Sequence, residues 1–163
     1  MLILTSALLN TFHLLTATLL PDPPAPAHDH AAHAPVAAVA PPAMLVYHNI
    51  GCGCCVKWIA LARAAGFKVE VVELGNLTGV KQKAGIPLAK ASCHTALAGG
   101  YVFEGHVPLD LVRRLLETRP AIAGLIVPGM PQSSPGMEDG RRHEPYDVLA
   151  LGRSGSLAIY ARR

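Results

Sequence analysis

Three of the four cysteines in this chain crowd into Gly51-Cys52-Gly53-Cys54-Cys55, and the fourth, Cys93, is followed directly by His94. Thiolate sulfur attacks disulfides and is a soft ligand for metals. Cys52 and Cys55 alone have the C-x-x-C spacing of a redox dithiol. Cys54 between them changes that reading, because three adjacent thiolates repel one another and a metal ion or small metal cluster relieves the charge. Structural disulfides usually spread their cysteines to close long loops, which this clustering does not do. Zinc normally takes four tetrahedral ligands from paired, separated motifs, and only one separated cysteine exists here. C-x-C-C matches none of the common ferredoxin runs. Copper(I) accepts two- or three-coordinate thiolate sites and clusters, and it leads.

Weaker ligand candidates surround the four cysteines. His94 travels with Cys93 as a ligand or general base, and His48 precedes the cluster by four residues as a ligand or outer hydrogen-bond donor. Met130 and Met137 sit in two Pro-Gly-Met runs, VPGMP and SPGME, and thioether sulfur is a copper(I) ligand. His106 and His143 have no partner identifiable from the sequence. Trp58 reads as a helix residue covering the edge of the core.

These residues need elements to position them. Met44 to Tyr47 is a short β-type run, stopped at Asn49-Ile50-Gly51. From Cys52 to Ala65 the pattern is helical, with Val56, Ile59 and Ala60 on one face and Gly66 as the stop. Phe67 to Val72 reads as a strand, and Leu77 to Ala84 as a short helix. Cys93 to Leu97 and Tyr101 to Glu104 predict a hairpin about Gly99-Gly100. Pro108 opens a helix whose stripe is Leu109, Val112, Leu115 and Leu116. The order β-α-β-α-β-β-α predicts an α/β, thioredoxin-like mixed sheet flanked by helices. It sets the cysteine cluster at a strand-to-helix turn, at the end of the sheet where ligands bind in open α/β folds. Free amides and the helix dipole there stabilise a thiolate. The loop entering the third strand brings Cys93 to face that turn.

Beyond Pro120, residues 122–127 are apolar and a turn-rich loop runs to Gly140. Tyr146 to Leu151 and Ser156 to Ala161 predict a final hairpin. This C-terminal β extension either lengthens the sheet edge or covers the metal site.

The N-terminal third reads as address and tether. Leu2 to Leu20 is apolar and free of formal charge, and Ala25-Pro26-Ala27 after the Pro-rich break is an A-x-A-like cleavage pattern. Residues 1–27 are therefore expected to be a signal peptide or N-terminal anchor, although no Lys or Arg precedes the apolar run. Residues 28–43 are an Ala/Pro/His linker that cannot bury enough surface to order itself. His28, His30 and His33 within it are at most weak metal collectors. Residues 44–163 remain for one domain. A net charge of +3 with 15% charged residues is too mild for a nucleic-acid footprint, so no nucleic-acid partner is expected. Membrane contact is expected only if the leader stays uncleaved.

The stretch GCGCCVKWIALARAAGFKVEVVE, then GIPLAKASCHTALAGGYVFEGHVPLDLVRRLLETRPAIAGLIVPGMPQSSPGME and EPYDVLAL, resembles a bacterial family long labelled a domain of unknown function. Its better-described members are the CopG-like periplasmic copper-resistance proteins. The resemblance covers nearly all of residues 44–163 and rests on the C-G-C-C and S-C-H-T pair. It implies a thioredoxin-like fold in the periplasm of a Gram-negative bacterium. It also implies copper, up to a multi-copper cluster, held by Cys52, Cys54, Cys55 and Cys93.

Three functions compete on these residues. The first is a copper-binding resistance protein that sequesters copper, hands it to an efflux or chaperone protein, or cycles its oxidation state. The second is a thiol–disulfide oxidoreductase with Cys52 as nucleophile and Cys55 as resolving thiol. Cys54 offers that enzyme a competing disulfide, and Cys93-His94 stands where such enzymes usually keep a cis-proline. The third is an exported domain stapled by two disulfides, which the adjacent Cys54 and Cys55 make cramped. The first accounts for the third motif cysteine and Cys93, so a binding protein is expected rather than an enzyme, with redox activity confined to a copper–thiolate site.

Overall fold

The computed structural model describes residues 42–140 and 143–163. The expected leader, and the linker apart from its last two residues, lie outside the described residues, as do His28, His30 and His33.

One seven-stranded mixed sheet organises the described chain. Strand β1 (Ala43–Asn49) leads into helix α1 (Gly53–Ala64), β2 (Lys68–Leu74) and α2 (Thr78–Lys83). A single 3-10 turn, Leu88–Lys90, precedes the hairpin β3 (His94–Ala98) and β4 (Tyr101–Glu104). Helix α3 (Leu109–Thr118), β5 (Gly124–Ile126) and a second hairpin, β6 (Asp147–Leu151) and β7 (Leu157–Arg162), complete the chain. The strand order is β2-β1-β3-β4-β5-β6-β7. β1 runs parallel to β2 and antiparallel to β3, and β4 runs parallel to β5. The expected mixed sheet flanked by helices is there, and the final hairpin lengthens its edge by pairing β6 onto β5.

Alternation along the strands sorts the side chains into two cores. On one face Met44, Val46, Ala96, Phe103 and Leu125 pack with Trp58, Ile59 and Ala62 of α1 and with Leu111, Val112 and Leu115 of α3. On the other, Ile126 and Leu151 pack with Ile86, just beyond α2.

Two readings of the sequence need correction. The buried face of α1 is Cys55, Trp58, Ile59 and Ala62, while Val56 is 55% exposed and Ala60 is exposed. That set has true helical spacing, and it draws a motif cysteine inward with the core. Trp58 is not at the core edge. It is fully buried, and its indole N–H donates to the Val107 carbonyl at 3.0 Å. The apolar run at 122–127 also contains a strand, β5, which carries the C-terminal hairpin.

Candidate metal centre

The cysteine turn is built by the crossing from β1 into α1. The Cys52 amide bonds back to the Asn49 carbonyl at 3.1 Å, and the Ile50 amide bonds to Leu74 of the neighbouring strand at 3.1 Å. Cys52 is the N-cap residue of α1, with no side-chain cap, so Cys54 and Cys55 fall in the first turn, where backbone N–H groups lack helical partners. Cys93 arrives from the other side, immediately before β3. β1 and β3 are paired at this end, with His48 opposite His94.

The four sulfurs consequently converge, all within 4.8 Å of one another. Cys54 Sγ lies 3.4 Å from Cys52 Sγ and 3.9 Å from Cys93 Sγ. Cys52 and Cys55 are joined as a disulfide, and Cys54 and Cys93 are free thiols. Cys55 Sγ is 3.7 Å from the Cys93 carbonyl, a bond that it can donate only once reduced. Burial, reinforced by the nearby Cys54 sulfur, pushes the Cys93 thiol up to about 12. In the absence of a metal it therefore keeps its proton at neutral pH, and a metal ion binding there must displace that proton.

A second group of donors shares Cys93 with the first, namely Cys93, His94 and His106. His106 Nε2 is 3.0 Å from Cys93 Sγ, and His106 Nδ1 is 2.8 Å from the Pro135 carbonyl. A carbonyl only accepts, so Nδ1 carries the proton. Burial holds the imidazole below its ordinary pKa, hence neutral, and the Nε2 lone pair is aimed at the sulfur. His94 is fully buried, with Nδ1 3.4 Å from Cys93 Sγ. Its Nε2 has no hydrogen-bond partner among the described residues. Orphaned buried N–H groups are rarer than orphaned acceptors, which favours the proton on Nδ1, facing the sulfur. The His94 ring lies 4.6 Å from that of Trp58 and 4.8 Å, edge-on, from that of His106.

The loop after β5 closes the centre from above. The Gly129 amide bonds to the Ala91 carbonyl, and the Ser92 hydroxyl donates to the Gly129 carbonyl. Gly136 has φ +86, and a Cβ there would sit 2.9 Å from the Trp58 amide nitrogen and 3.2 Å from the Cys54 carbonyl oxygen. Only glycine lets the loop lie this close to α1. The chain beyond Pro120 thus does both things weighed from the sequence: its hairpin extends the sheet and its loop covers the site.

The structure gathers Cys52, Cys54, Cys55, Cys93 and His94, and leaves His48 outside both donor groups. His48 is buried, with Nδ1 3.0 Å from the Asn49 carbonyl and Nε2 3.5 Å from Glu73. Met130 is 52% exposed beside the pinned Gly129, and Met137 is half-buried, its amide bonded to Ser134. Sequence reasoning missed His106. Its only signal was position, two residues past a strand that pairs with the one following Cys93. His143 is exposed.

The free thiols of Cys54 and Cys93 and a neutral imidazole lone pair, joined by Cys52 and Cys55 when their disulfide is reduced, form a donor set that fits a soft, thiophilic cation such as copper(I). A family model described as "Protein of unknown function, DUF411" matches residues 90–137. Two solved structures, "Copper resistance protein copG- Form 2" and "Copper resistance protein copG- Form 1", are each 41% identical to this chain. Each alignment covers 76% of this chain and 98% of the other, with TM-scores of 0.72 and 0.71. No curated protein matches the chain. Identity at that level across almost the whole of those structures places this chain in the CopG-like copper-resistance family.

Proposed function

We propose that this protein binds copper as copper(I), through the thiolates of Cys52, Cys54, Cys55 and Cys93, and contributes to copper resistance by holding or handing on the ion. The convergence of four sulfurs within 4.8 Å carries the reading. His106 adds a nitrogen donor at Cys93, and the number of sulfurs allows more than one copper ion to share them. Binding through all four sulfurs requires the Cys52–Cys55 disulfide to be reduced, taking two electrons and two protons from a dithiol reductant. Residues 1–27 serve as leader or anchor and 28–43 as linker, which delivers the domain to the periplasm. The partner is a copper efflux or chaperone protein.

The test is copper(I) stoichiometry on the reduced full-length chain, loaded without oxygen, with free thiols counted before and after. At least one retained copper with four protected thiols is expected, and Cys93→Ser should lower the bound copper while leaving the fold intact. Wild-type stoichiometry in Cys93→Ser removes that residue from the site.

One observation favours a second reading. The Cys52–Cys55 disulfide with the Cys54 sulfur 3.4 Å from Cys52 is an arrangement suited to thiol–disulfide exchange. Rapid exchange with a dithiol substrate, together with no retained copper, would make the protein an oxidoreductase instead.

A further inference from the structure

Behind Cys93 lies a set of buried polar side chains that copper ligation does not use. Glu104, the last residue of β4, is 0% exposed, and Lys81 of α2 is 5% exposed. Lys81 Nζ lies 2.5 Å from Glu104 Oε1 and donates to Thr95 Oγ1 at 3.1 Å. The Thr95 hydroxyl donates to Glu104 Oε2 at 2.7 Å, and the Ser92 backbone N–H donates to Oε1 at 2.6 Å. Thr95 and Glu104 are register partners across the β3–β4 hairpin. Both carboxylate oxygens are therefore occupied, and the bonds fall on Ser92 and Thr95, on either side of Cys93-His94.

Stability alone is a poor reason for this arrangement. Desolvating two charges commonly cancels their attraction, and a well-packed apolar pair often serves a fold as well or better. An apolar pair cannot, however, hold the Ser92 amide at a fixed point. Ser92 is the residue whose position sets where Cys93 enters the site, and its side chain fills the space a Cβ on Gly105 would need.

We propose that Lys81 and Glu104 are positioning residues for Cys93. The carboxylate, oriented by Lys81 and Thr95, clamps the Ser92 amide and so holds the Cys93 sulfur against Cys54 and His106. Neither residue touches the metal. The inference rests on the reading that Cys93 is a copper ligand.

The experiment is a double-mutant cycle on the reduced full-length chain, titrating copper(I) against a chromophoric copper(I) chelator and recording the thiolate-to-copper absorption. Glu104→Gln should weaken copper(I) by about tenfold or more, the range seen when residues behind metal ligands are changed, and should move the absorption towards that of Cys93→Ser. In the Cys93→Ser background the same change should have no effect, because there is no longer a thiol to position. Lys81→Met/Glu104→Leu leaves no unpaired charge but takes the acceptor from the Ser92 amide and the Thr95 hydroxyl, so it should fold with a somewhat lowered melting temperature and still lose copper affinity; it decides the matter if Glu104→Gln does not fold. Wild-type affinity and spectrum in these variants overturn the inference, as does an equal loss with and without Cys93. If Cys93→Ser itself binds copper(I) like wild type, the reading beneath has failed and the inference goes with it.

Discussion

His106 Nε2 lies 3.0 Å from Cys93 Sγ, while the opposite nitrogen of the same ring is 2.8 Å from the Pro135 carbonyl. The covering loop thereby chooses the tautomer of a residue on the sheet, and the tautomer turns a lone pair towards the sulfur. His94 faces that sulfur from β3. Cys93 is thus flanked by two imidazoles while its thiol packs against Cys54.

The His106 lone pair should matter to copper. His106→Leu substitutes an apolar side chain of similar bulk and removes both ring nitrogens. It is expected to weaken copper(I) by about 10–100-fold, the usual cost of disturbing a ligand or its immediate support. Competition with a chromophoric chelator measures this, and an unchanged affinity would take His106 out of the centre.

Acid should destabilise the metal-free, reduced protein. Burial holds His94 well below its ordinary value of 6.5 and lowers His106 as well. The unfolded chain takes up protons near 6.5 that the folded chain refuses. Above that pH both states are neutral at these rings and their contribution to stability is flat. Below it the unfolded state binds more protons, so stability falls, by up to about 1.4 kcal/mol per pH unit for each ring. Urea midpoints between pH 8 and pH 5 read the slope, and His94→Gln should flatten it. Equal slopes in the two proteins would show that His94 is not the group responsible.

Gly136→Ala should loosen the cover. The substitution places a methyl against the backbone of Trp58 and Cys54 in a conformation, φ +86, that L residues rarely adopt. A cost of about 1–3 kcal/mol is expected from strain of this kind. The Cys54 thiol should also alkylate faster as the loop lifts away from α1. A melting temperature and an alkylation rate both matching wild type would mean that the loop does not bear on the site.

Much of this molecule was legible from local pattern. Short β-type runs marked β1 and both hairpins, helical spacing and Pro108 marked α3, and C-x-C-C with a later Cys-His marked the chemistry. Such features are carried by neighbours a few residues apart, so the sequence displays them directly. The inner face of α1 was misread because two overlapping apolar stripes compete there. Only docking against β1 and α3 decides for Cys55 and Trp58 over Val56.

By itself, then, the sequence determined the order of the elements as far as α3 and the final hairpin, the softness of the donor set and the end of the sheet at which the cysteines lie. Tertiary structure alone decided that His106 joins Cys93, that His48 stays outside, and that Glu104 and Lys81 meet behind the site. The reason is physical. A thiol, an imidazole or a buried carboxylate acquires its role from what surrounds it, and those surroundings come from strands and loops far apart in the chain. Cys93 meets Cys54 across 39 positions and His106 meets Pro135 across 29. No local spacing encodes such contacts; the pairing of β1 with β3, β3 with β4 and β4 with β5 creates them.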